Sequence, residues 1–364
     1  MQARQQARGG ILKQASDTIP KVFQHLRVGA TQPDAGDIAI AAAAIQAGGL
    51  VAFPTETVYG LGANAWDAGA VAGIFRAKGR PASDPLIAHI ARRAQLDELA
   101  RAVPEQAHEL CRRFWPGPLT LVLEKSHKVP ANLTAGLDTV AARMPDHAVA
   151  VALIEAAGVP IAAPSANRFS RPSPTTAQHV LDDLAGDFDM LLDAGPTAIG
   201  LESTILSLVD NPPRLLRPGG VPLEALRQII PDLRFEPRFL REDDAAPAPG
   251  TLLKHYSPRA RLLLFQGSDD TAVYAAMRAE IAGNRRVGLI LSNADAAAFA
   301  DLDVAVECLG RDVAQSALRL FAAMRALDSA GVDLILARAP EKHGLGLAVW
   351  DRLLRAAEGT LIEA

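Results

Sequence analysis

Short apolar runs alternate with longer segments of helical periodicity along most of the chain. Residues 50–53 are short and wholly apolar, which is typical of a buried strand. In residues 68–78, Val71, Ile74 and Phe75 instead recur at helical spacing on one face. Because this alternation continues to about residue 220, the sequence predicts a mixed α/β sheet for the first part of the chain.

The last part of the chain repeats the alternation with a cleaner period. Residues 261–357 contain four strand-like runs separated by helical segments, which predicts a small doubly wound parallel sheet. Between the two parts, residues 231–258 are rich in proline and charge and show no sustained periodicity, as in a linker. We therefore expect a first domain at 35–230, this linker, and a second domain at 259–364.

The first 34 residues stand apart from this pattern. They carry five basic and two acidic side chains and no long apolar run. The excess of cations is weakly similar to an organellar presequence, but we favour a loosely ordered or peripheral helical extension. A chain of 364 residues also exceeds the usual limit of about 250 to 300 for one core, in agreement with two domains.

Composition narrows the class of protein. A formal net charge of −4 disfavours a general polyanion-binding surface, although a local basic cleft remains compatible with it. Cys111 and Cys308 are the two cysteines and lack metal-ligand spacing, so we expect reduced thiols and no disulfide framework or structural zinc. No apolar run reaches the roughly 18 residues of a membrane span. We expect a cytoplasmic protein without membrane contact, of undefined oligomeric state.

Polar groups follow the first predicted strand of the sheet. Pro54 stops the strand, and Thr55, Glu56 and Thr57 come directly after it. The carboxyl ends of strands are where open α/β sheets bind ligands. The next helix, capped by Asp67, stops at 79–81 and brings two cations, Lys78 and Arg80. If the backbone there is extended, both side chains project toward one anion.

Common nucleotide and nucleophile motifs are weak or missing in the sequence. GxxxxGK[ST] has no match, and the G-x-G-x-x-A match at 60–65 does not follow its strand directly, so we interpret it as a tight turn beside the site. The serine of Pro-Ser-Ala-Asn at 164–167 lacks a G-x-S-x-G elbow, which favours hydrogen bonding over covalent catalysis.

Two long motifs carry a resemblance to a known family. PTETVYGLG at 54–62 and KGRPASDPL at 78–86 resemble the threonylcarbamoyl-AMP synthase family, with its YrdC-like domain, and later segments resemble its long two-domain type. The resemblance implies a YrdC-like mixed twisted α/β domain and a smaller Rossmann-like parallel α/β C-terminal domain. It also implies an L-threonylcarbamoyladenylate synthase, which forms threonylcarbamoyl-AMP and pyrophosphate from L-threonine, bicarbonate or CO2, and ATP. The product serves N6-threonylcarbamoyladenosine formation at position 37 of ANN-decoding tRNAs.

The resemblance also implies roles for individual residues. Lys78 and Arg80 are expected to be catalytic and to face the phosphates. The other implied nucleotide contacts are Asp84, Thr139, Ser165, Asn167, Ser173, Arg217 and His255. The implied threonine contacts are Thr57, His89, Arg143, Ala163 and Ser203. The family commonly has asparagine at the position of Asp84, so the acidic side chain departs from the family pattern, and contact with the nucleotide directly or through metal or water stays open.

The remaining implied features concern the metal, the linker and the partners. Mg²⁺ is expected to arrive with ATP and not on protein ligands. The segment 248–258, with a Lys-His-Tyr cluster between prolines, is expected to fold over the site as a lid. A tRNA-modifying threonylcarbamoyl transferase is the expected recipient of the product, with at most a weak contact to tRNA.

Two other functions remain open at this point. An RNA-binding or regulatory YrdC-like module without adenylate synthesis is one, although the chain is mildly acidic and lacks a clustered basic run. An NAD-dependent oxidoreductase is the other, based on the weak glycine motif alone.

Overall fold

The computed structural model describes residues 23–237, 248, 256–283 and 286–364. His255, most of the segment 248–258 and residues 1–22 of the N-terminal extension lie outside the described residues. We refer to the part that contains the first sheet as the N-terminal domain and to the part that contains the second as the C-terminal domain. No helix of the described residues has the length and apolar character needed to cross a membrane.

The N-terminal domain is built on a ten-stranded mixed sheet, as the sequence predicted. Its strands are β1 (Gln24–Arg27), β2 (Val51–Phe53), β3 (Gly60–Asn64), β4 (Ile87–His89), β5 (Leu119–Glu124), β6 (Thr139–Arg143), β7 (Ile161–Ala162), β8 (Met190–Asp193), β9 (Thr204–Ser207) and β10 (Arg214–Arg217). They lie in the order β1-β8-β2-β3-β7-β4-β6-β5-β9-β10. Its helices in the described residues are α1 (Ala35–Gln46), α2 (Ala68–Lys78), α3 (Leu96–Leu99), α4 (Glu105–Phe114), α5 (Ala148–Ala157), α6 (Ala177–Leu184) and α7 (Leu223–Arg227), with a 3₁₀ turn at Arg93–Gln95.

Two predictions at the amino-terminal side of this sheet are wrong. Residues 24–27 are not a peripheral helical extension but the edge strand β1, which pairs in parallel with β8. The glycine motif at 60–65 is not a tight turn either, because Gly60–Asn64 forms β3, antiparallel to β2. A Cβ at Gly62 would lie 2.7 Å from Phe53 Cε1, so glycine is needed for close packing against a neighbouring ring and not for a turn.

Helix ends around the candidate residues follow their local sequence. Asp67 caps α2 by accepting hydrogen bonds from the amides of Gly69 and Ala70, as predicted. α2 ends at Gly79, whose φ of +64° lies in the left-handed region that favours glycine. Asp34 caps α1 in the same way, by accepting hydrogen bonds from the amides of Gly36 and Asp37.

The C-terminal domain is the predicted doubly wound parallel sheet, with one strand more than the sequence indicated. Its strands are β11 (Arg261–Gln266), β12 (Val287–Leu291), β13 (Ala305–Cys308), β14 (Leu334–Arg338) and β15 (Leu361–Glu363), in the order β13-β12-β14-β11-β15. Its described helices are α8 (Asp270–Gly283), α9 (Asn293–Ala296), α10 (Val313–Ser329) and α11 (Leu345–Ala356), with a 3₁₀ turn at Ala297–Phe299.

The two domains share one apolar core and several buried ion pairs. Leu206 and Leu226 of the N-terminal domain belong to the same buried cluster as Phe321 and Leu353 of the C-terminal domain. At Gly200, with φ of +79°, the backbone approaches α10 so closely that a Cβ would lie 2.5 Å from the Leu318 Cα. The second domain therefore packs directly on the segment that connects β8 and β9 of the first sheet.

Candidate active site

A small cavity in the N-terminal domain collects polar side chains from remote parts of the chain. It has a volume of about 40 Å³. Eight of the predicted site residues line it: Thr57, Arg80, His89, Arg143, Ala163, Ser165, Ser203 and Arg217. The fold thus brings together predicted residues as far apart in the sequence as Thr57 and Arg217.

Sheet geometry explains why these groups meet. His89 and Arg143 end the neighbouring parallel strands β4 and β6 and are directly paired in register. Ala163 follows β7, which pairs with β4 on its other side. β7 runs antiparallel to β4, and these strands have only two and three residues, so residues from opposite strand ends lie close together in this part of the sheet.

The predicted threonine side is organised by Arg143, which is buried. Its NH1 donates to Thr57 Oγ1 at 2.9 Å, and its Nε donates to the Gly117 carbonyl at 3.3 Å. Its NH2 forms an ion pair with Glu56 Oε1 at 2.6 Å. The predicted carboxylate fork is therefore already oriented by three neighbours, and a substrate carboxylate would share it with Glu56.

His89 lies beside Arg143 as an uncharged imidazole. Burial, and then the neighbouring Arg143 guanidinium, lowers the pKa of His89 to about 3. Its Nδ1 is buried and has no hydrogen-bond partner among the described residues. The side chain is therefore available at neutral pH as a hydrogen-bond partner for a ligand in the cavity.

Arg80 reaches the cavity from the segment after α2. Its NH2 pairs with Asp84 Oδ1 at 2.9 Å and donates to the Pro85 carbonyl at 2.8 Å, while its Nε donates to the Asp84 carbonyl at 3.1 Å. Asp84 is fully buried and does not line the cavity. Burial raises the pKa of Asp84, and the Arg80 charge opposes this effect. In this structure Asp84 is thus the partner of Arg80.

The position of Lys78 differs from the prediction that an extended backbone at 78–80 would point Lys78 and Arg80 toward the same anion. Gly79 is in the left-handed conformation, so the backbone between Lys78 and Arg80 is not extended and that premise is wrong. The Lys78 Nζ donates to the backbone carbonyl of Ser165 at 2.6 Å and to that of Asn167. Burial, and then Arg80, lowers the pKa of Lys78 well below its usual value. Lys78 therefore holds the loop that presents Ser165 to the cavity.

Other predicted residues lie around the cavity without lining it. The Ser173 hydroxyl donates to Glu202 Oε1 at 2.5 Å, and Glu202 does line the cavity. The Asn167 amide nitrogen donates to carbonyls of its own loop. Thr139 begins β6 and lies about 13 Å along that strand from Arg143, at about 3.3 Å per residue.

Sequence reasoning missed Glu202 at this site, and it named Glu56 and Tyr256 only as members of the segments at 55–57 and 248–258. Glu56 and Glu202 each directly precede a predicted residue, which was the available signal. Tyr256 lines the cavity, and its neighbour His255 lies outside the described residues. Arg217 donates to the Ser203 carbonyl at 2.9 Å, so this predicted nucleotide contact also fixes a predicted threonine contact.

Cavity size alone would have selected another place. A cavity of about 840 Å³ lies at the carboxyl ends of β11, β12 and β14 in the C-terminal domain, and no predicted site residue lines it. Within the described residues, no group of three or more His, Cys, Asp or Glu is arranged to hold a metal ion.

Comparison with known proteins agrees with this organisation. A family model described as "Telomere recombination" (Sua5_yciO_yrdC) matches residues 43–219, and a model described as "Threonylcarbamoyl-AMP synthase, C-terminal domain" matches residues 221–358. Threonylcarbamoyl-AMP synthase of Pyrococcus abyssi is 49% identical over 90% of this chain and 95% of its own length. The corresponding protein of Bacillus subtilis is 44% identical over 89% of this chain and 94% of its own length.

A solved structure supports the same conclusion for the fold. The crystal structure of P. abyssi Sua5 complexed with L-threonine superposes with a TM-score of 0.86 at 46% identity, covering 94% of this chain and 99% of that one. Sequence and fold match over both domains. This chain therefore belongs to the threonylcarbamoyl-AMP synthase family.

Proposed function

We propose that this chain is an L-threonylcarbamoyladenylate synthase, a nucleotidyltransferase that uses L-threonine, bicarbonate or CO2, and ATP. The observation that carries the proposal is the convergence of three buried arginines, Arg80, Arg143 and Arg217, with small polar groups around one cavity. Two anionic substrates, an amino-acid carboxylate and a triphosphate, need such an arrangement. The product would pass to a tRNA-modifying transferase in the cytoplasm, with at most a weak contact between this chain and tRNA.

The threonine end of the reaction is assigned to the Arg143 side of the cavity. Arg143 and Thr57 would orient the threonine carboxylate, and the uncharged His89 would accept a hydrogen bond from the amine or hydroxyl. An uncharged imidazole adds no second cation beside the amine. The unprotonated amine can then add to CO2 and form N-carboxy-threonine, which gives up one proton.

The nucleotide end is assigned to Arg80, Ser165 and Arg217. The new carboxylate attacks the α-phosphorus of ATP and expels pyrophosphate, so a bond to carboxylate oxygen forms as the bond to the leaving phosphate breaks. Arg80 and Arg217 would stabilise the charge on the phosphates, and no protein nucleophile is required. Mg²⁺ would add charge neutralisation as part of the ATP complex; Asp84 and Glu202 each already contact an arginine, which disfavours them as metal ligands.

The cavity must enlarge before ATP binds. A cavity needs roughly 10–15 Å³ of free volume to hold one water, so the volume of about 40 Å³ is enough for a few waters and too small for a nucleotide. Tyr256, at the end of the predicted lid segment, forms part of the wall. The lid stays a prediction, and movement of Tyr256 is the step that it requires.

The test is mass-spectrometric detection of threonylcarbamoyl-AMP from purified protein, ATP, L-threonine and bicarbonate. We expect the product and stoichiometric pyrophosphate, and we expect both to disappear when threonine is omitted. Pyrophosphate release that persists without threonine, or ATP binding without product, would contradict the proposal. The second outcome would favour a binding module.

A further inference from the structure

Arg352 connects the C-terminal domain to the wall of the cavity. It lies on α11, and its side chain is fully buried. Its Nε donates to Glu202 Oε2 at 2.7 Å, and its NH2 donates to the Pro218 carbonyl at 3.0 Å. These two acceptors belong to the N-terminal domain, and Glu202 lines the cavity. The NH1 of Arg352 donates to Asp351 Oδ2 of α11 itself at 2.6 Å.

Glu202 is held from two sides. Oε2 accepts from Arg352, and Oε1 accepts from the hydroxyl of Ser173, a predicted nucleotide contact. Because both carboxylate oxygens are engaged, the side chain has one orientation. The carbonyl of the next residue, Ser203, accepts a hydrogen bond from Arg217. Glu202 and Ser203 together therefore contact predicted residues of both the nucleotide side and the threonine side of the site.

The same arginine also contacts Tyr256. The Arg352 guanidinium lies 5.0 Å from the centre of the Tyr256 ring, and this ring stacks on Phe321 of α10 at 5.3 Å. Tyr256 has a φ of +64°, a strained conformation for a residue other than glycine, which persists only when its surroundings fix it. Two groups of the C-terminal domain therefore fix the ring that forms one part of the cavity wall.

A second buried arginine serves as an internal comparison. Arg325 of α10 also bonds one carboxylate and one proline carbonyl of the N-terminal domain, Asp183 at 2.6 Å and Pro172 at 2.5 Å. Neither Asp183 nor Pro172 lines the cavity. Arg325 and Arg352 thus make equivalent contacts across the interface, and among these acceptors only Glu202, a partner of Arg352, lines the cavity.

We propose that Arg352 is a positioning residue of the active site, which acts through Glu202 and Tyr256, so that the C-terminal domain completes the site and is not a separate binding module. This inference rests on the proposed function. Arg352 touches neither substrate in this assignment; it fixes groups that face them.

The test compares Arg352→Met and Arg352→Lys with Arg325→Met in the full-length chain. Threonylcarbamoyl-AMP formation is measured at varied ATP concentration, and the folded fraction is measured by urea titration. We expect kcat/KM for ATP to fall about 10- to 100-fold in R352M, since misplacement of a site by about 1 Å has effects of this size. R352K should recover part of the loss because an ammonium can still pair with Glu202. R325M should lose comparable stability but keep kcat/KM within about twofold per folded molecule.

A double variant tests whether the effect passes through Glu202. If it does, R352M combined with E202Q should lose no more activity than the worse single variant, because both changes remove one interaction. Multiplicative losses would overturn the route through Glu202. An active wild type with unaffected R352M, or an equal loss in R325M, would overturn the inference alone. An inactive wild type would overturn the proposed function, and the inference with it.

Discussion

The Arg80–Asp84 pair permits a prediction that separates stability from activity. Asp84 is fully buried, and Arg80 is the one cation that the described structure places in an ion pair with it. Replacing Arg80 with methionine leaves an unpaired carboxylate in the interior. Loss of one partner of a buried pair is worth about 3 to 5 kcal/mol, a large part of the usual 5 to 15 kcal/mol of total stability. We expect R80M to be strongly destabilised.

Removing the second charge should restore much of this loss. In R80M/D84N the buried group is a neutral amide, for which an unsatisfied hydrogen bond costs about 1 to 3 kcal/mol. The double variant should therefore be about 2 kcal/mol more stable than R80M. D84N alone keeps an acceptor for Arg80 and carries the residue that the family commonly has here, so it should fold and remain active.

The assay is urea unfolding followed by far-UV circular dichroism, with pyrophosphate release measured on the same samples. R101M is the matched control, because Arg101 pairs with Glu124 at 2.6 Å on the surface, where a pair contributes about 0 to 1 kcal/mol. Both R80M and R80M/D84N should lack threonine-dependent activity. Two results would contradict the prediction: R80M unfolding at the same urea concentration as the wild type, or R80M/D84N being no more stable than R80M. Either would show that the buried ion pair does not contribute the expected free energy of unfolding.

Three further changes should separate the remaining groups. Arg143→Lys should raise KM for threonine at least about tenfold with little change for ATP, because an ammonium cannot reach Thr57, Glu56 and the Gly117 carbonyl together; equal changes in both KM values would contradict the assignment. His89 has a folded pKa of about 3 against an ordinary 6.5, so the unfolded state binds the extra proton between these values. Stability should accordingly fall with acidification by about 1.4 kcal/mol per pH unit from this group, and denaturation at pH 4 to 6 should show a shallower slope for His89→Gln. Deleting residues 248–258 should lower adenylate yield more than ATP binding, measured by calorimetry; equal activity would remove the lid from the mechanism.

Periodicity and capping predicted most elements because these signals are local. Asp67 marks the start of α2 because its side chain accepts hydrogen bonds from the first amides of the helix. Gly79 marks the end because a residue without a side chain readily adopts the left-handed conformation. β1 and β15 were missed because each is short, contains polar residues and is partly exposed, unlike the wholly apolar β2, and each is stabilised by a partner strand remote in sequence. β3 was predicted as a turn because glycines usually mark turns. In the structure, glycine is required at Gly62 by the close approach of the Phe53 ring, a contact between strands that the local sequence does not indicate.

The sequence predicted the threonine side of the candidate site more accurately than the nucleotide side. His89 and Arg143 end the parallel strands β4 and β6, and the strand-end rule places these two side by side. Thr57 follows β2, which runs in the opposite direction, so its contact with Arg143 was implied by the resemblance and not by this rule. Lys78 was predicted to face an anion, yet its amine is taken up by two backbone carbonyls. A sequence gives the type of a side chain at the site, whereas its competing partners come from the three-dimensional arrangement.

The C-terminal contribution shows why a polar helical face is an ambiguous signal. In α11 the apolar residues Leu347, Leu353 and Leu354 alternate with Asp351 and Arg352, which from the sequence alone indicates one buried face and one face in water. The structure buries both faces, because the polar face meets the N-terminal domain. A buried charge needs partners, and Arg352 has a carboxylate in the cavity wall, Glu202, and a second one on its own helix, Asp351. The polar half of this helix is therefore satisfied by the other domain at Arg352 and by ion pairs within the helix at Asp351, and not by solvent.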